Sequence, residues 1–316
     1  MSDAVLVCGG SGTFGNAFTK TALERDWVSK LVIFSRDELK QSQMQQQFPD
    51  PRMRFMLGDI RDPERLALAM RGIDTVIHAA AMKQVPACEQ HPWEAVQTNI
   101  VGTWNVAKAA IDAGVSCGVF LSTDKAPDAT TLYGATKFAA ERLWLRSNVY
   151  GAGTNTKLVA TRYGNVLGSR GSVVEVWRNQ PTMTVTDPSA TRFWMTIQQA
   201  VDLVWWARQQ LRRGEIAVPK IGASTLATLA EAVNPTATQT VESLRGTEKR
   251  HETLLTSWEA PRSVERGDHY VIQPADRSWG ESVPDRGEAL PAGFAFTSDT
   301  APQLSVDDLR GMLHGV

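Results

Sequence analysis

One string near the N-terminus limits the folds open to this chain: Val5-Leu6-Val7-Cys8-Gly9-Gly10-Ser11-Gly12-Thr13-Phe14-Gly15. An apolar run leads into a glycine turn and then into a helical pattern, with Gly9, Gly12 and Gly15 three residues apart. Glycines so placed permit a tight turn, close approach of the backbone to a pyrophosphate and close packing of helix on strand. The helix start adds free N–H groups and a partial positive charge. A glycine cluster alone is weak, because a merely structural turn has the same composition. Its weight comes from the rhythm of the chain downstream. Short apolar runs at 30–35, 53–57, 74–79, 117–122 and 157–163 alternate with helical patterns at 14–25, 38–47, 63–70, 93–113 and 132–149. The pattern predicts an α/β fold: a doubly wound parallel sheet with helices on both faces, of the Rossmann type, with a dinucleotide at the glycine turn.

After about residue 165 the rhythm changes. Gly, Pro and Arg become frequent, and the next clear helical pattern is 197–212. The expected division is a dinucleotide-binding domain over 1–165 and a smaller C-terminal substrate lobe over 166–316, with elements at about 192–212 returning to the first. Residues 264–293 are rich in Asp, Arg, Gly and Pro and read as loop. With 33 basic and 34 acidic residues the net charge is −1, which does not indicate a general nucleic-acid surface. Cys8, Cys88 and Cys117 are odd in number and lack metal-ligand spacing, and the histidines form no metal constellation. Reduced cysteines, and an N-terminus with neither a basic leader nor a long apolar segment, point to the cytoplasm and away from membranes.

Cofactor choice is read at the end of the second run, Phe34-Ser35-Arg36-Asp37. Ser35 can hydrogen-bond, and Arg36 can stack on adenine and pair with a 2′-phosphate, with Lys40 one turn away. These favour NADP over NAD. Asp37 is the counter-signal unless it caps the next helix. After the third run, Asp59 and Ile60 could bracket adenine, although Asp59 could instead cap a helix.

Tyr133 and Lys137 are four apart in a helical pattern and so share one face. A lysine cation beside a phenol lowers its pKa, so that the phenolate can take a proton from an alcohol near neutral pH. That pair is the working end of a nicotinamide enzyme acting on a hydroxyl. Asp124 and Lys125, just before it, add two proton carriers that simple alcohol oxidation does not need. The competing role for them is a solvated turn. Lys83 follows the fourth run, at the carboxyl edge where such sheets bind ligands, and suits a sugar or nicotinamide contact. Asn165 ends the sixth run and suits a diphosphate or a sugar amide.

These residues resemble the extended short-chain dehydrogenase/reductases. Within them the chain looks like the inverting UDP-N-acetylglucosamine 4,6-dehydratases of pseudaminic acid and surface-polysaccharide pathways. The likeness is carried by 35–40, His78-Ala79-Ala80-Ala81-Met82-Lys83, Ser122-Thr123-Asp124-Lys125, Tyr133-Gly134-Ala135-Thr136-Lys137, Arg162-Tyr163-Gly164-Asn165, Thr191-Arg192-Phe193-Trp194 and Gly246-Thr247-Glu248-Lys249. Two stretches depart from the family: Pro127-Asp128-Ala129-Thr130-Thr131, and the region after Ala223.

The resemblance implies a cycle. Tyr133 takes the proton of the 4-hydroxyl while hydride passes to NADP, and Lys137 holds Tyr133 ionised. Lys125, its pKa depressed by water exclusion and neighbouring cations, removes the proton on carbon 5. Asp124 protonates the departing 6-hydroxyl, and hydride returns to carbon 6. Thr123 bonds the 4-hydroxyl. The product is a UDP-2-acetamido-2,6-dideoxy-L-arabino-hexos-4-ulose. The resemblance also places Ser11, Thr13, Phe14, Ala79, Ala80 and Lys83 on the cofactor, and Lys83, Asn165, Arg192, Arg245 and Glu248 on the UDP-sugar. It implies a homo-oligomer. The alternatives are a nucleotide-sugar 4-epimerase, a 5,6-dehydratase, and a silent NADP-binding regulator.

Overall fold

The computed structural model describes residues 3–244, 246–279 and 287–314. The apolar runs form strands β1 (Asp3–Cys8), β2 (Val28–Ser35), β3 (Met53–Leu57), β4 (Thr75–His78), β5 (Cys117–Thr123) and β6 (Lys157–Tyr163). Between them lie helices α1 (Thr13–Glu24), α2 (Glu38–Gln47), α3 (Pro63–Ala69), α4 (Val85–Gln90), α5 (Pro92–Val96), α6 (Gly102–Asp112) and α7 (Leu132–Arg146). The strands pair in the order β3-β2-β1-β4-β5-β6, all parallel. The winding reverses between β1 and β4. A crevice opens at the carboxyl ends of those two strands, where open α/β sheets bind ligands.

Side chains of a strand alternate between its faces. Val5 and Val7 of β1 therefore join Phe18 and Ala22 of α1 on one side. Leu6 and Cys8 join Leu66 of α3, Val106 of α6 and Trp144 of α7 on the other. Both faces are covered, which is why the strands read as unbroken apolar runs. Helix starts are set by side-chain caps. Asp37 accepts from the Lys40 N–H at 3.0 Å, and Asp62 from the Arg65 N–H at 3.0 Å ahead of Pro63. Asp59 caps no helix.

The second half adds β7 (Asn165–Val166), α8 (Val173–Trp177), β8 (Thr182–Thr186), β9 (Thr191–Met195), α9 (Ile197–Gln210), β10 (Ile216–Pro219), β11 (Ala223–Thr225), α10 (Leu226–Val233), β12 (Thr238–Glu242) and β13 (Thr253–Leu255). Then come β14 (Ser263–Arg266), β15 (His269–Ile272), β16 (Glu288–Ala289), β17 (Phe296–Thr297) and α11 (Val306–Leu313). Helix α9 opens with a Thr196/Gln199 capping box and packs beside α1, with Trp205 stacked on Trp27 at 4.6 Å. β10 extends the main sheet parallel to β6. A separate small core forms around Leu167, Trp177, Met183, Trp194, Leu229 and Leu309.

Two sequence expectations change. Residues 264–293, of which 280–286 lie outside the described residues, are not simply loop: β15, β14 and β16 continue the main sheet antiparallel beyond β10, making ten strands among the described residues. They are four residues long or shorter, β14 and β16 carry charges, and β16 forms the edge of the sheet. Of their apolar side chains, Val264, Val271 and Ile272 reach the core, too few to give an apolar signal. The helix expected over 93–113 is interrupted, because Gln97–Val101 widens into a π-helical turn. That turn buries Asn99, whose amide accepts from the Met82 N–H at 2.8 Å and donates to Thr136 of α7 at 3.0 Å. The irregular turn thus ties the loop after β4 to the helix that carries Tyr133.

Candidate active site

The carboxyl ends of the strands open into a cleft of about 1360 Å³ that runs from the glycine turn to the small lobe. Its cofactor wall is mostly backbone. Gly9 has φ +79, and a Cβ there would lie 2.8 Å from the Ala80 nitrogen. The turn therefore admits no side chain on the side facing the loop after β4, and the strand end stays open for a pyrophosphate. Ser11 donates to Ser35 at 2.9 Å, and Gln41 of α2 donates to Ser35 at 2.9 Å. Arg36 lies 3.4 Å from Asp59. Asp37 is taken up by its capping bond and by an ion pair with Lys40. Thr13, Phe14, Ile60, Ala79 and Lys83 line the same wall. A glycine turn ahead of a helix start, closed by serines and an exposed arginine, fits a dinucleotide.

Helix α7 brings the Tyr/Lys pair to the floor. Thr131 caps it, accepting from the Gly134 N–H at 3.1 Å. A Cβ on Gly134 would stand 2.3 Å from the Lys125 carbonyl oxygen. This close approach sets Tyr133 beside the Asp124-Lys125 turn. Lys137 is buried, donates to the Leu121 carbonyl at 2.6 Å and sits 3.9 Å over the Phe120 ring. Burial brings its pKa down to about 7, against a smaller opposing pull from Glu141. Here the expectation of a phenol held ionised by Lys137 is corrected. Burial lifts Tyr133 to about 12, and the groups that oppose it are Lys125 and a hydrogen bond with Thr123. The Lys137 amine is turned to a backbone carbonyl instead.

The opposite wall, where the sequence places the substrate, is built of charges. Lys125 donates to Asp124 Oδ1 at 3.0 Å and to Asn165 Oδ1 at 3.4 Å, and lies 3.3 Å from Glu252 Oε1. Thr123 donates to Asp124 Oδ1 at 3.0 Å. Asp124 is fully buried behind Lys125, with Oδ1 bonded to Lys125 and Thr123; among the described residues its Oδ2 has no hydrogen-bond partner. Burial raises the Asp124 pKa, and Glu252 adds to that against the pull of Lys125. For Lys125, burial and Arg192 work downward, but Asp124 and Glu252 outweigh them and hold the ammonium above the ordinary lysine range. The expected neutral lysine among cations is thus replaced by a charged lysine between carboxylates.

Arg192 of β9 is buried and pairs with Glu248 at 2.9 Å, at the far end of the same wall. Lys83 donates to the Arg170 carbonyl at 3.0 Å, and its pKa is lowered by burial and by Arg170. Thr123, Lys125, Tyr133, Lys137, Asn165, Arg192 and Glu248 share the cleft with the cofactor wall. Arg245 lies outside the described residues. Sequence reasoning missed Glu252, which ends the run Glu248-Lys249-Arg250-His251-Glu252. Five titratable residues in succession ordinarily mark a solvated face, but here both carboxylates turn to charges of the cleft, Glu248 to Arg192 and Glu252 to Lys125. Among the described residues no group of His, Cys, Asp and Glu could hold a metal ion, and no helix is long and apolar enough to cross a membrane.

A Rossmann sheet, an extended C-terminal lobe and a Tyr/Lys pair under a dinucleotide cleft define an extended short-chain dehydrogenase/reductase. The chain belongs to the polysaccharide biosynthesis protein family, whose pattern matches residues 5–274. It is 39% identical over 311 residues, 95% of this chain and 93% of the relative, to the UDP-N-acetylglucosamine 4,6-dehydratase (inverting) of Campylobacter jejuni subsp. jejuni. It is 36% identical, over 98% of this chain and 94% of the relative, to the UDP-glucose 4-epimerase of Rickettsia canadensis. The crystal structure of Pen from Bacillus thuringiensis superposes with a TM-score of 0.90 at 35% identity, covering 100% of this chain and 99% of that one.

Proposed function

We propose that the protein is an NADP-dependent, inverting UDP-N-acetylglucosamine 4,6-dehydratase. The observation that carries this reading is the Lys125–Asp124 hydrogen bond at 3.0 Å, on the wall where Thr123 bonds both Asp124 and Tyr133. Tyr133 is the base for the 4-hydroxyl. A bound nicotinamide cofactor supplies uptake and return of hydride, and in its oxidised form a positive ring charge that favours the phenolate. The 4-ketone acidifies the proton on carbon 5. Passing one proton from Lys125 to Asp124 along their hydrogen bond turns the ion pair into a neutral amine and a carboxylic acid. Those are the base for carbon 5 and the acid for the 6-hydroxyl. The raised Asp124 pKa favours that transfer, against the carboxylates that hold Lys125 charged.

A 4-epimerase, the name borne by the Rickettsia relative, needs no second acid–base pair, and the Asp124–Lys125 pair argues for elimination. Product formed from UDP-N-acetylglucosamine in deuterated water tests this. Deuterium at carbon 5 and a 6-methyl group are expected; a retained 6-hydroxyl without deuterium at carbon 5 removes the reading.

Several finer points belong to the same proposal. NADP is preferred because Asp37 is spent on its cap and on Lys40, leaving Ser35 and Arg36 to read the ribose. Arg192, Glu248, Asn165 and Lys83 hold the UDP-sugar. A homo-oligomer forms through the face of α5 to α7, where Trp93, Val149 and Tyr150 are exposed; a light-scattering mass of one chain contradicts that.

A further inference from the structure

Glu252 lies just ahead of β13 and is buried. Its Oε1 is 3.3 Å from Lys125 Nζ and 3.9 Å from Arg192 Nε, and its Oε2 is 3.2 Å from Lys249 Nζ. The backbone around it is pinned on both sides. The Glu252 N–H donates to Ser298 Oγ at 2.8 Å, and the Ser298 N–H donates to the Glu252 carbonyl at 2.9 Å. Two residues on, the Leu254 carbonyl accepts from Arg162 at 3.0 Å. Arg162 in turn holds Glu141 of α7, the helix of Tyr133 and Lys137, at 3.1 Å. The carboxylate is therefore fixed relative to the catalytic helix. Stability alone gives no reason for it, since a buried ion pair commonly adds little over a well-packed neutral side chain.

We propose that Glu252 is a positioning residue for the elimination half of the reaction, holding the Lys125 amine with one carboxylate oxygen and tying it to Arg192 and Lys249 at the nucleotide end of the wall. This rests on the function proposed above. Lys125 faces Asp124, Glu252, Arg192, the Tyr133 phenol and the neutral Asn165 amide. Glu252 faces Lys125, Lys249 and Arg192, which hold it ionised against the opposing effect of burial. Of the two carboxylates on Lys125, Asp124 is the proton partner. Glu252, whose charge is shared among three cations, fixes the amine's place and sets the pH at which it gives up its proton.

The test is a titration of Lys125 in the full-length protein, with lysine labelled by ¹⁵N at Nζ and the signal assigned through Lys125→Arg. In Glu252→Gln the Lys125 midpoint is expected to fall by about one unit or more, with the Lys137 midpoint in place. In Glu252→Asp, which keeps the charge, it is expected to stay within about half a unit of the parent. An unmoved midpoint in folded Glu252→Gln, or equal shifts in the Gln and Asp variants, overturns the proposal. Should Glu252→Gln fail to fold, Lys249→Met gives the test with opposite sign: fewer cations share the carboxylate, the Lys125 midpoint rises, and an unmoved one overturns the proposal. The titration needs no substrate. Failure of the proposed reaction shows separately, as parent enzyme that places no deuterium at carbon 5.

Discussion

The cofactor wall of the cleft is made of backbone, and the substrate wall is made of charge. At Gly9 the strand end and the loop after β4 meet so closely that a methyl group has no room. Across the cleft, Asp124, Lys125, Glu252, Lys249 and Arg192 form a continuous chain of ion pairs and hydrogen bonds. The two site lysines show the contrast. Lys137 meets a carbonyl and an aromatic face, and burial brings it to about 7. Lys125, whose side chain is 24% exposed, is held charged by two carboxylates. Burial and ion partners together thus set a lysine's protonation state. A wall of backbone fixes where a ligand lies, whereas a wall of charges fixes which protons can move.

The sharpest way to separate the walls is a pair of substitutions. Tyr133→Phe is expected to cut turnover by about a thousandfold or more while NADP affinity stays within a few-fold. Lys125→Met is expected to lower deuterium uptake at carbon 5 by about a hundredfold or more, yet to leave substrate-dependent reduction of the cofactor visible in its absorbance. If both variants lose cofactor reduction alike, the redox and elimination roles do not divide as described.

Gly9→Ala strikes the backbone wall only. Its positive φ and the contact with Ala80 predict a loss of about 2 kcal/mol or more in denaturant unfolding, together with weakened cofactor binding. An Ala variant as stable as the parent would show that the wall can relax. In the proposed reading, Arg36 is the charge that reads the cofactor on that wall. Arg36→Ala is expected to lower the preference for NADP over NAD by about tenfold or more, measured as a ratio of dissociation constants.

The smallest effect, per pH unit, concerns His78 at the end of β4. Its ring bonds Thr103 at 2.9 Å, and burial, with some help from Lys137, brings its pKa from 6.5 to about 3. The unfolded chain takes up this proton near 6.5 and the folded protein only near 3. Stability from this group is therefore full above 6.5 and is lost as pH falls toward 3, by about 1.4 kcal/mol per unit. Urea unfolding of His78→Gln across that window is expected to show a shallower loss than the parent.

The cofactor wall was legible in the sequence because its parts are local. The glycine turn is one string, Asp37 and its capped Lys40 are three residues apart, and Tyr133 and Lys137 share one helix face. The substrate wall was legible only in its ingredients. Asp124 and Lys125 stand out as a pair, but the charge on Lys125 depends on Glu252, which arrives from the far end of the chain. A run of charged residues gives no sign of which will turn inward. The added strands β14 to β16 escaped notice because pairing, not composition, makes them strands. The π-helical turn at Gln97–Val101 left no mark either, since its apolar spacing differs little from that of an α-helix.

The measurement that bears most directly on the coupling of the two walls uses UDP-N-acetylglucosamine deuterated at carbon 4. If one sugar ring meets both Tyr133 and the Asp124–Lys125 pair in a single visit, the label leaves carbon 4 and appears in the 6-methyl group of the keto product. Label still at carbon 4, in a sugar that keeps its 6-hydroxyl, would contradict it.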